Sequence, residues 1–370
     1  MYVEMKILKP VFKKIKKPLR WIKVFLKQKA GWLDMPRIVP YRGYGSETDV
    51  YIRGMVIEDK GLSKPLDRNR FWHNILAAIK RFSSDEIPGV KIKAELLGVA
   101  SIMETDDLGY FDFHFQFTDK SEALRGKEWH TVHFELLDVI VENQPAIYTT
   151  GEVRIIPASQ KRIIISDVDD TVMVSHATQT LRKLHLMLFK NALTRNHFSH
   201  VDLFYQGLAE GKDKQDSNPF FYVSSSEWNL YDLLEDFFSI NKIPKGVFLL
   251  RTLTYSIYKF WKSGGGSHEH KYEKIKTLLE FFSLSKFILI GDSGQYDPSI
   301  YSRIALEFPG RVEVIYIRRI RSRSYIDNDD NLYKKLANVD TAYLEVQETH
   351  EAVHHATKNG YTSIDLLVNI

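Results

Sequence analysis

The stretch Ile163-Ile164-Ile165-Ser166-Asp167-Val168-Asp169-Asp170-Thr171 decides how the second half of this chain is read. Three consecutive β-branched residues are apolar on both faces, as a strand inside a parallel sheet must be, and polar residues follow at once. The same texture recurs at Phe220-Phe221-Tyr222-Val223, Val247-Phe248-Leu249-Leu250, Phe287-Ile288-Leu289-Ile290 and Val312–Ile317, with helical patterns between the runs. Short apolar strands spaced by helices predict βαβ units and one parallel sheet. Asn331–Lys358 is expected to be helical and to pack on that sheet.

Open parallel sheets bind ligands beyond the carboxyl ends of their strands. The first run leads into Ser166-Asp167-Val168-Asp169-Asp170-Thr171, the second into Ser224-Ser225-Ser226, and the fourth into Gly291-Asp292-Ser293-Gly294-Gln295-Tyr296-Asp297. Carboxylates, hydroxyls and a glycine turn should therefore meet on one edge. Several carboxylates share a small site in ionised form only when a cation offsets them, and hard oxygen ligands favour Mg²⁺. One carboxylate is then free to attack phosphorus and a second to shuttle the leaving-group proton. Asp167 and Asp169, two apart on an extended segment, present their side chains on one face and suit that division.

Asp167-Val168-Asp169-Asp170-Thr171 after a strand resembles the first motif of the haloacid-dehalogenase (HAD) superfamily of phosphohydrolases. With Phe221-Tyr222-Val223-Ser224-Ser225-Ser226-Glu227-Trp228, His270-Lys271, and Phe287–Asp297 followed by Pro298, the chain is similar to the phosphatidate phosphatase catalytic domain of the actin-patch-protein family, bacterial branch. Pro40-Tyr41-Arg42-Gly43-Tyr44-Gly45 and the strands around it extend the likeness to about residues 36–360. The resemblance implies Asp167 as nucleophile and Asp169 as general acid/base. It implies a Mg²⁺ site built from Asp167, Asp169 through its backbone carbonyl, and Asp292, with Asp297 supporting the shell. Ser224 would hydrogen-bond the phosphoryl group, Lys271 would neutralise the nucleophile and the phosphate, and Thr171, Ser225 and Ser226 would bind substrate. Lys274, near the start of the same helix, is the alternative to Lys271. The second motif reads Ser-Ser-Ser where the family pattern has Ser-Asn-Ser. Val172–Asn218 would hold any cap, with a helix over Leu181–Leu193; so small a cap suits a headgroup presented by a membrane or a protein.

Upstream, the apolar period changes to two. Phe111, Phe113, Phe115 and Phe117 alternate with Asp112, His114 and Gln116, and Tyr51–Val56 alternates less strictly, as half-buried antiparallel strands do. Further strands are expected at Lys91–Leu97, His130–Leu137 and Glu152–Ile156, with one helical insert near Arg70–Phe82. The expected fold is α/β: a HAD-like (Rossmann-like) parallel-sheet catalytic domain over 159–370 with C-terminal helices, preceded by a small β-sandwich over 35–158 and a basic amphipathic arm over 1–34.

The 370 residues carry 51 Lys+Arg against 47 Asp+Glu and no cysteine, which removes disulfides and Cys-ligated metals. Residues 1–30 hold ten basic side chains and one acidic one, so the rest of the chain is net negative and a nucleic-acid-binding body is not expected. Within the arm, Ile7, Leu8, Phe12, Ile15, Leu19, Trp21, Ile22, Val24, Phe25 and Leu26 alternate with lysines, as in interfacial helices on anionic lipid, although Pro10 and Pro18 divide it. A solvated arm, docked on the protein or disordered, is the equal alternative. No apolar run reaches the roughly 20 residues of a membrane span, and no signal peptide is read, so a cytoplasmic protein, peripheral at the inner face of the membrane, is expected.

Other patterns carry less. His350-Glu351-Ala352-Val353-His354 matches a zinc-protease pattern literally but lacks a third ligand, and a solvated helix face is expected. Gly264-Gly265-Gly266 lacks the Gly-Lys-Ser/Thr ending of a nucleotide loop. His197/His200 and His268/His270 are read as surface or rim histidines. The expected function is Mg²⁺-dependent hydrolysis of a phosphomonoester, with phosphatidate to diacylglycerol as the reaction the resemblance implies and a phospholipid headgroup or anionic membrane surface as partner. The alternatives are the same chemistry on a soluble or protein phosphomonoester, or a non-catalytic module that binds a membrane or a partner through the β-domain.

Overall fold

Alternating apolar residues build the first half of the chain. The computed structural model describes residues 21–59, 85–117, 124, 126–168, 200–212, 216–251, 268–293, 296–319 and 330–363. It divides into two compact units, 1–156 and 157–370. The arm before residue 21, the insert at Arg70–Phe82, the Leu181–Leu193 segment, Gly264–Gly266, His197, and Asp169 and Thr171 lie outside the described residues.

The first unit opens with helix α1 at residues 21–29. Eight strands follow: β1 (Pro36–Pro40), β2 (Gly43–Gly45), β3 (Asp49–Glu58), β4 (Lys91–Leu96), β5 (Val99–Glu104), β6 (Tyr110–Gln116), β7 (Trp129–Leu136) and β8 (Ile147–Ile155). They form one hydrogen-bonded sheet in the order β1-β3-β2-β8-β7-β4-β5, with β6 paired to β3. The pairing is antiparallel except between β2 and β8. Phe111, Phe113 and Phe115 of β6 enter one core with Val50, Ile52 and Val56 of β3 and Val132, Phe134 and Leu136 of β7, while Asp112, His114 and Gln116 stay outside. The period-two pattern thus sorts the strand faces as burial of apolar surface demands.

The second unit is built on a six-stranded parallel sheet: β9 (Arg162–Asp167), β10 (Phe220–Glu227), β11 (Val247–Arg251), β12 (Lys286–Asp292), β13 (Val312–Arg318) and β14 (Ala342–Val346). Its order is β11-β10-β9-β12-β13-β14. Helices α2 (Val201–Glu210), α3 (Tyr231–Ile240), α4 (His268–Phe281), α5 (Asp297–Glu307), α6 (Asp330–Ala337) and α7 (Thr349–Lys358) lie between and after the strands. All five expected apolar runs are strands, and Ile163, Ile164 and Ile165 are fully buried. The expectation of helix throughout Asn331–Lys358 needs correction, because β14 separates α6 from α7. It is a short, half-buried strand at the sheet edge, without the continuous apolar run that marks its neighbours.

The strand order fixes where a ligand can sit. From β9 the chain goes first to β10 and β11 on one side and later to β12, β13 and β14 on the other. The order thus reverses between β9 and β12, and in open parallel sheets the carboxyl ends of strands at such a switch point are where ligands bind.

Candidate active site

Asp167 is the last residue of β9 and Asp292 the last of β12, so both carboxylates stand at that switch point. Asp297 opens α5, which follows β12 after a short turn. Carboxylate oxygens of Asp167, Asp292 and Asp297 all lie within 4.8 Å of one another, a spacing at which three acids could hold one cation. Lys271 comes from the first turn of α4 and lies buried among them. Its Nζ donates to Asp167 Oδ1 at 2.8 Å and to Asp297 Oδ1 at 2.5 Å.

One glycine makes this approach possible. A Cβ at Gly291 would stand 2.5 Å from Asp297 Oδ2 and 2.8 Å from the Tyr301 ring, so only glycine lets Asp297 fold back against the strand. There Asp297 Oδ2 accepts the Asp292 backbone N–H at 3.2 Å. Although Pro298 follows it, Asp297 does not cap α5; the cap position belongs to Tyr296, and Asp297 is buried in the acidic cluster. The Lys274 Nζ donates to the Leu249 carbonyl of β11.

The electrostatics follow from burial. Desolvation pushes the Asp167 carboxyl well above the ordinary carboxylate range, the charges of Asp297 and Asp292 add to this, and Lys271 opposes it. For Lys271, burial alone would lower the pKa, but the carboxylates of Asp167 and Asp297 outweigh it and hold the ammonium charged. Among the described residues gathered here, Asp167, Asp292 and Asp297 face the single charge of Lys271, and Asp167 Oδ2 is buried with no hydrogen-bond donor. An orphaned carboxylate oxygen beside two further carboxylates is a donor set that fits a hard divalent cation such as Mg²⁺.

The serines lie at the end of β10, where Val223 pairs with Asp167 and Ser224 therefore stands one residue beyond the acid. Ser224 and Ser225 are buried, and Ser224 Oγ accepts the Ser226 backbone N–H at 2.9 Å. The Ser224 hydroxyl proton is left for another acceptor. Ser226 is still within β10 and caps no helix.

Two contributors escape a reading by motif. The Tyr205 hydroxyl, on α2, lies 2.8 Å from Ser166 Oγ, which itself donates to the Asp167 carbonyl at 3.1 Å. Since the serine proton goes to the carbonyl, Tyr205 is the donor, and it supports the backbone beside Asp167. Burial pushes the Tyr205 phenol up; the Ser166 bond and the Arg318 charge oppose it, and the Asp167 charge adds to it. Arg318 closes β13 directly opposite Asp292 and adds a cation to this edge of the sheet. The amphipathic Phe204-Tyr205 helix could have been found by periodicity; the pairing with Ser166 could not.

The zinc-like motif behaves as a solvated face. His350 and His354 of α7 are exposed, His350 pairs with Glu348 at 3.2 Å, and Ala352, Val353 and Ala356 point into the core. No helix among the described residues is long and apolar enough to cross a membrane.

An open parallel α/β sheet with three acids and a buried lysine at its switch point is the arrangement of a ligand-binding site with the groups for acid–base and electrostatic work. Residues 162–319 match the family described as "Phosphatidate phosphatase APP1, catalytic domain". This segment, less than half of the chain, is similar to the catalytic domain of the APP1 phosphatidate phosphatase family, and the match is narrower than residues 36–360. The phosphatidate phosphatase APP1 of Saccharomyces cerevisiae is 34% identical over 155 residues, which cover 42% of this chain and 25% of that protein. An uncharacterized protein of Schizosaccharomyces pombe is 26% identical over 160 residues, 43% of this chain and 25% of that protein. The chain thus spans a quarter of the length of the curated relatives it matches.

Among solved structures, a carbohydrate acetylesterase of Xanthomonas citri shares 9% identity at a TM-score of 0.31, covering 86% of this chain and 73% of that one. An immunoglobulin-like domain of the M. primoryensis ice-binding adhesin shares 12% identity at a TM-score of 0.18, covering 33% of this chain and 95% of that one. Scores at this level leave the fold to be described by its own strand order.

Proposed function

We propose that this protein is a Mg²⁺-dependent phosphatase that hydrolyses phosphatidate to diacylglycerol through a phosphorylated Asp167, on a HAD-like catalytic domain preceded by a small β-sandwich. The observation that carries the reading is Lys271 bound to Asp167 and Asp297 at the sheet's switch point, with Asp167 Oδ2 buried and without a donor. The family match of residues 162–319 supports phosphatidate as the substrate.

Lys271 donates to Asp167 Oδ1 and holds the carboxylate in place. An oxygen of the Asp167 carboxylate forms a bond to phosphorus as the bond from phosphorus to the ester oxygen breaks, and the leaving oxygen takes a proton from Asp169. Water then attacks the aspartyl phosphate, Asp169 takes its proton, and inorganic phosphate departs while Asp167 is restored. The Ser224 hydroxyl donates to a phosphoryl oxygen, and Thr171, Ser225 and Ser226 would bind the substrate. Asp167, Asp292 and the Asp169 carbonyl would hold Mg²⁺, supported by Asp297, and the bound ion would supply the positive charge that offsets the acids and the transferring phosphoryl group. Fixed charges in a buried site are the main source of catalysis in such a transfer. The enzyme would work in the cytoplasm, peripherally at a membrane.

The test is phosphate release from phosphatidate in mixed micelles and from a soluble monoester, with Mg²⁺ or EDTA, beside Asp167→Asn. Release that needs both Mg²⁺ and Asp167 and strongly prefers phosphatidate is expected. Equal release from the soluble ester would keep the chemistry and remove the lipid assignment. No release from either substrate would leave a binding module.

A further inference from the structure

Helix α1 is tied to its own domain through two of its lysines: Lys27 Nζ lies 2.6 Å from Asp85 and 3.0 Å from the buried carboxylate of Glu58, and the more exposed Lys23 also pairs with Asp85. The Asp34 backbone N–H donates to the same Glu58 at 3.0 Å, and the Trp21 ring lies over Gly89. These ties fix the rotation of the helix. What they turn outward is apolar: Ile22, Phe25 and Leu26 are 48%, 52% and 58% exposed, and Trp32, just past the helix end, is 76% exposed. Residues 22, 25 and 26 follow the helical spacing of one face, and Lys29 continues it, with its ammonium 4.9 Å from the centre of the Phe25 ring.

An exposed apolar stripe costs free energy in water and marks an interaction surface. Its surroundings select the occupant. Residues 1–30 carry ten basic side chains and one acidic one, and among the described residues Lys23 and Lys27 are drawn into the pairs with Glu58 and Asp85. Aromatic and aliphatic side chains amid basic ones match the boundary of an anionic bilayer, where rings enter the headgroup layer and lysines meet lipid phosphates. We propose that Ile22, Phe25, Leu26 and Trp32 insert into the interface of an anionic lipid surface, with Lys29 at its headgroups. The proposal rests on the lipid-phosphatase reading for its purpose, and it names the attachment surface that reading lacks.

The experiment uses the full chain with vesicles of phosphatidylcholine, with or without phosphatidylglycerol; neither lipid is a phosphomonoester, so binding is read apart from turnover. The wild-type protein should co-sediment with the phosphatidylglycerol vesicles and far less with phosphatidylcholine alone. F25S/L26S and Trp32→Ser should each weaken that partition by about tenfold or more, because each removes buried apolar area, at an unchanged melting temperature. Lys29→Gln should weaken it less, and only at low salt. Wild-type protein that ignores the anionic vesicles, or F25S/L26S that binds them as the wild type does, would overturn the proposal. So would a wild-type dimer in lipid-free buffer that F25S/L26S turns into a monomer, since a second copy would then own the face. Vesicle binding without phosphatidate turnover would keep this surface and remove the substrate assignment.

Discussion

Lys271 and Asp297 meet at 2.5 Å in the interior of the second unit, both out of contact with water. A buried ion pair of this kind adds little net stability, but removing one partner is costly because the other charge stays behind. Lys271→Met should therefore destabilise the metal-free protein by about 3 kcal/mol and reduce phosphate release by roughly a thousandfold. Chemical denaturation and steady-state turnover measure the two effects separately.

Mg²⁺ should raise the melting temperature of the wild-type protein, since a ligand that binds only the folded state stabilises it by mass action, about 2.7 kcal/mol at a hundred times its dissociation constant. Asp292→Asn should abolish most of that rise, as measured by differential scanning fluorimetry across a magnesium titration. A full rise in this variant would place the ion elsewhere.

Gly291→Ala tests the close approach of Asp297 to its strand. The added methyl would overlap the Asp297 carboxylate and the Tyr301 ring. A loss of about 1–3 kcal/mol in stability and at least about tenfold in turnover is expected. Unchanged turnover would mean that Asp297 can leave the cluster without consequence.

Tyr205→Phe removes one hydroxyl and nothing else. It should cost about 1 kcal/mol and lower kcat by roughly tenfold with KM nearly constant, because Tyr205 supports the Asp167 backbone through Ser166 and reaches no substrate atom. A fall in stability with kcat unchanged would reduce Tyr205 to a core residue.

The ties of α1 set a pH window. Burial would raise the Asp85 carboxyl, but hydrogen bonds from Lys23 and Lys27 outweigh it and hold it below its ordinary 3.8. Its contribution is present above that value and is lost as pH falls through the lower folded value. For Lys27, burial opposes and Asp85 and Glu58 prevail, so its pKa stands above 10.5 and its contribution disappears only as pH rises beyond that. The stability difference between wild type and Asp85→Asn should be at most about 1 kcal/mol, since the pair is partly solvent-screened. It should hold steady at neutral pH and shrink in acid; a difference that grew in acid would refute this account.

The acidic edge was legible in the sequence because parallel strands bury both faces and stop abruptly at their functional ends. Ile163-Ile164-Ile165 announces β9, and Asp167 sits where the apolar run gives out. Strand β5 was not legible. It follows Leu96 after a two-residue turn, Leu97-Gly98, whose φ values of 50° and 81° are the left-handed pair normally signalled by Asn-Gly. A leucine in the first place disguises that turn, and the exposed edge strand after it lacks alternation. Tyr205 was hidden for another reason: its partner Ser166 is 39 residues away, and no spacing rule links them. The lysines of α1 were visible, but their direction was not. Composition shows that a helix is basic, whereas which side it presents depends on where Glu58 and Asp85 lie.

The distances along the chain at the catalytic edge have a consequence for biosynthesis. Lys271 is 104 residues from Asp167, and β9 must align with β12, more than a hundred residues downstream, before the three acids converge. Pairing across such separations is slow and comes late in folding. A ribosome-bound chain that has emerged only as far as β11 therefore holds Asp167 but neither Lys271 nor Asp292. Catalytic competence arrives only with the completed sheet, so truncated products of this polypeptide should be chemically silent.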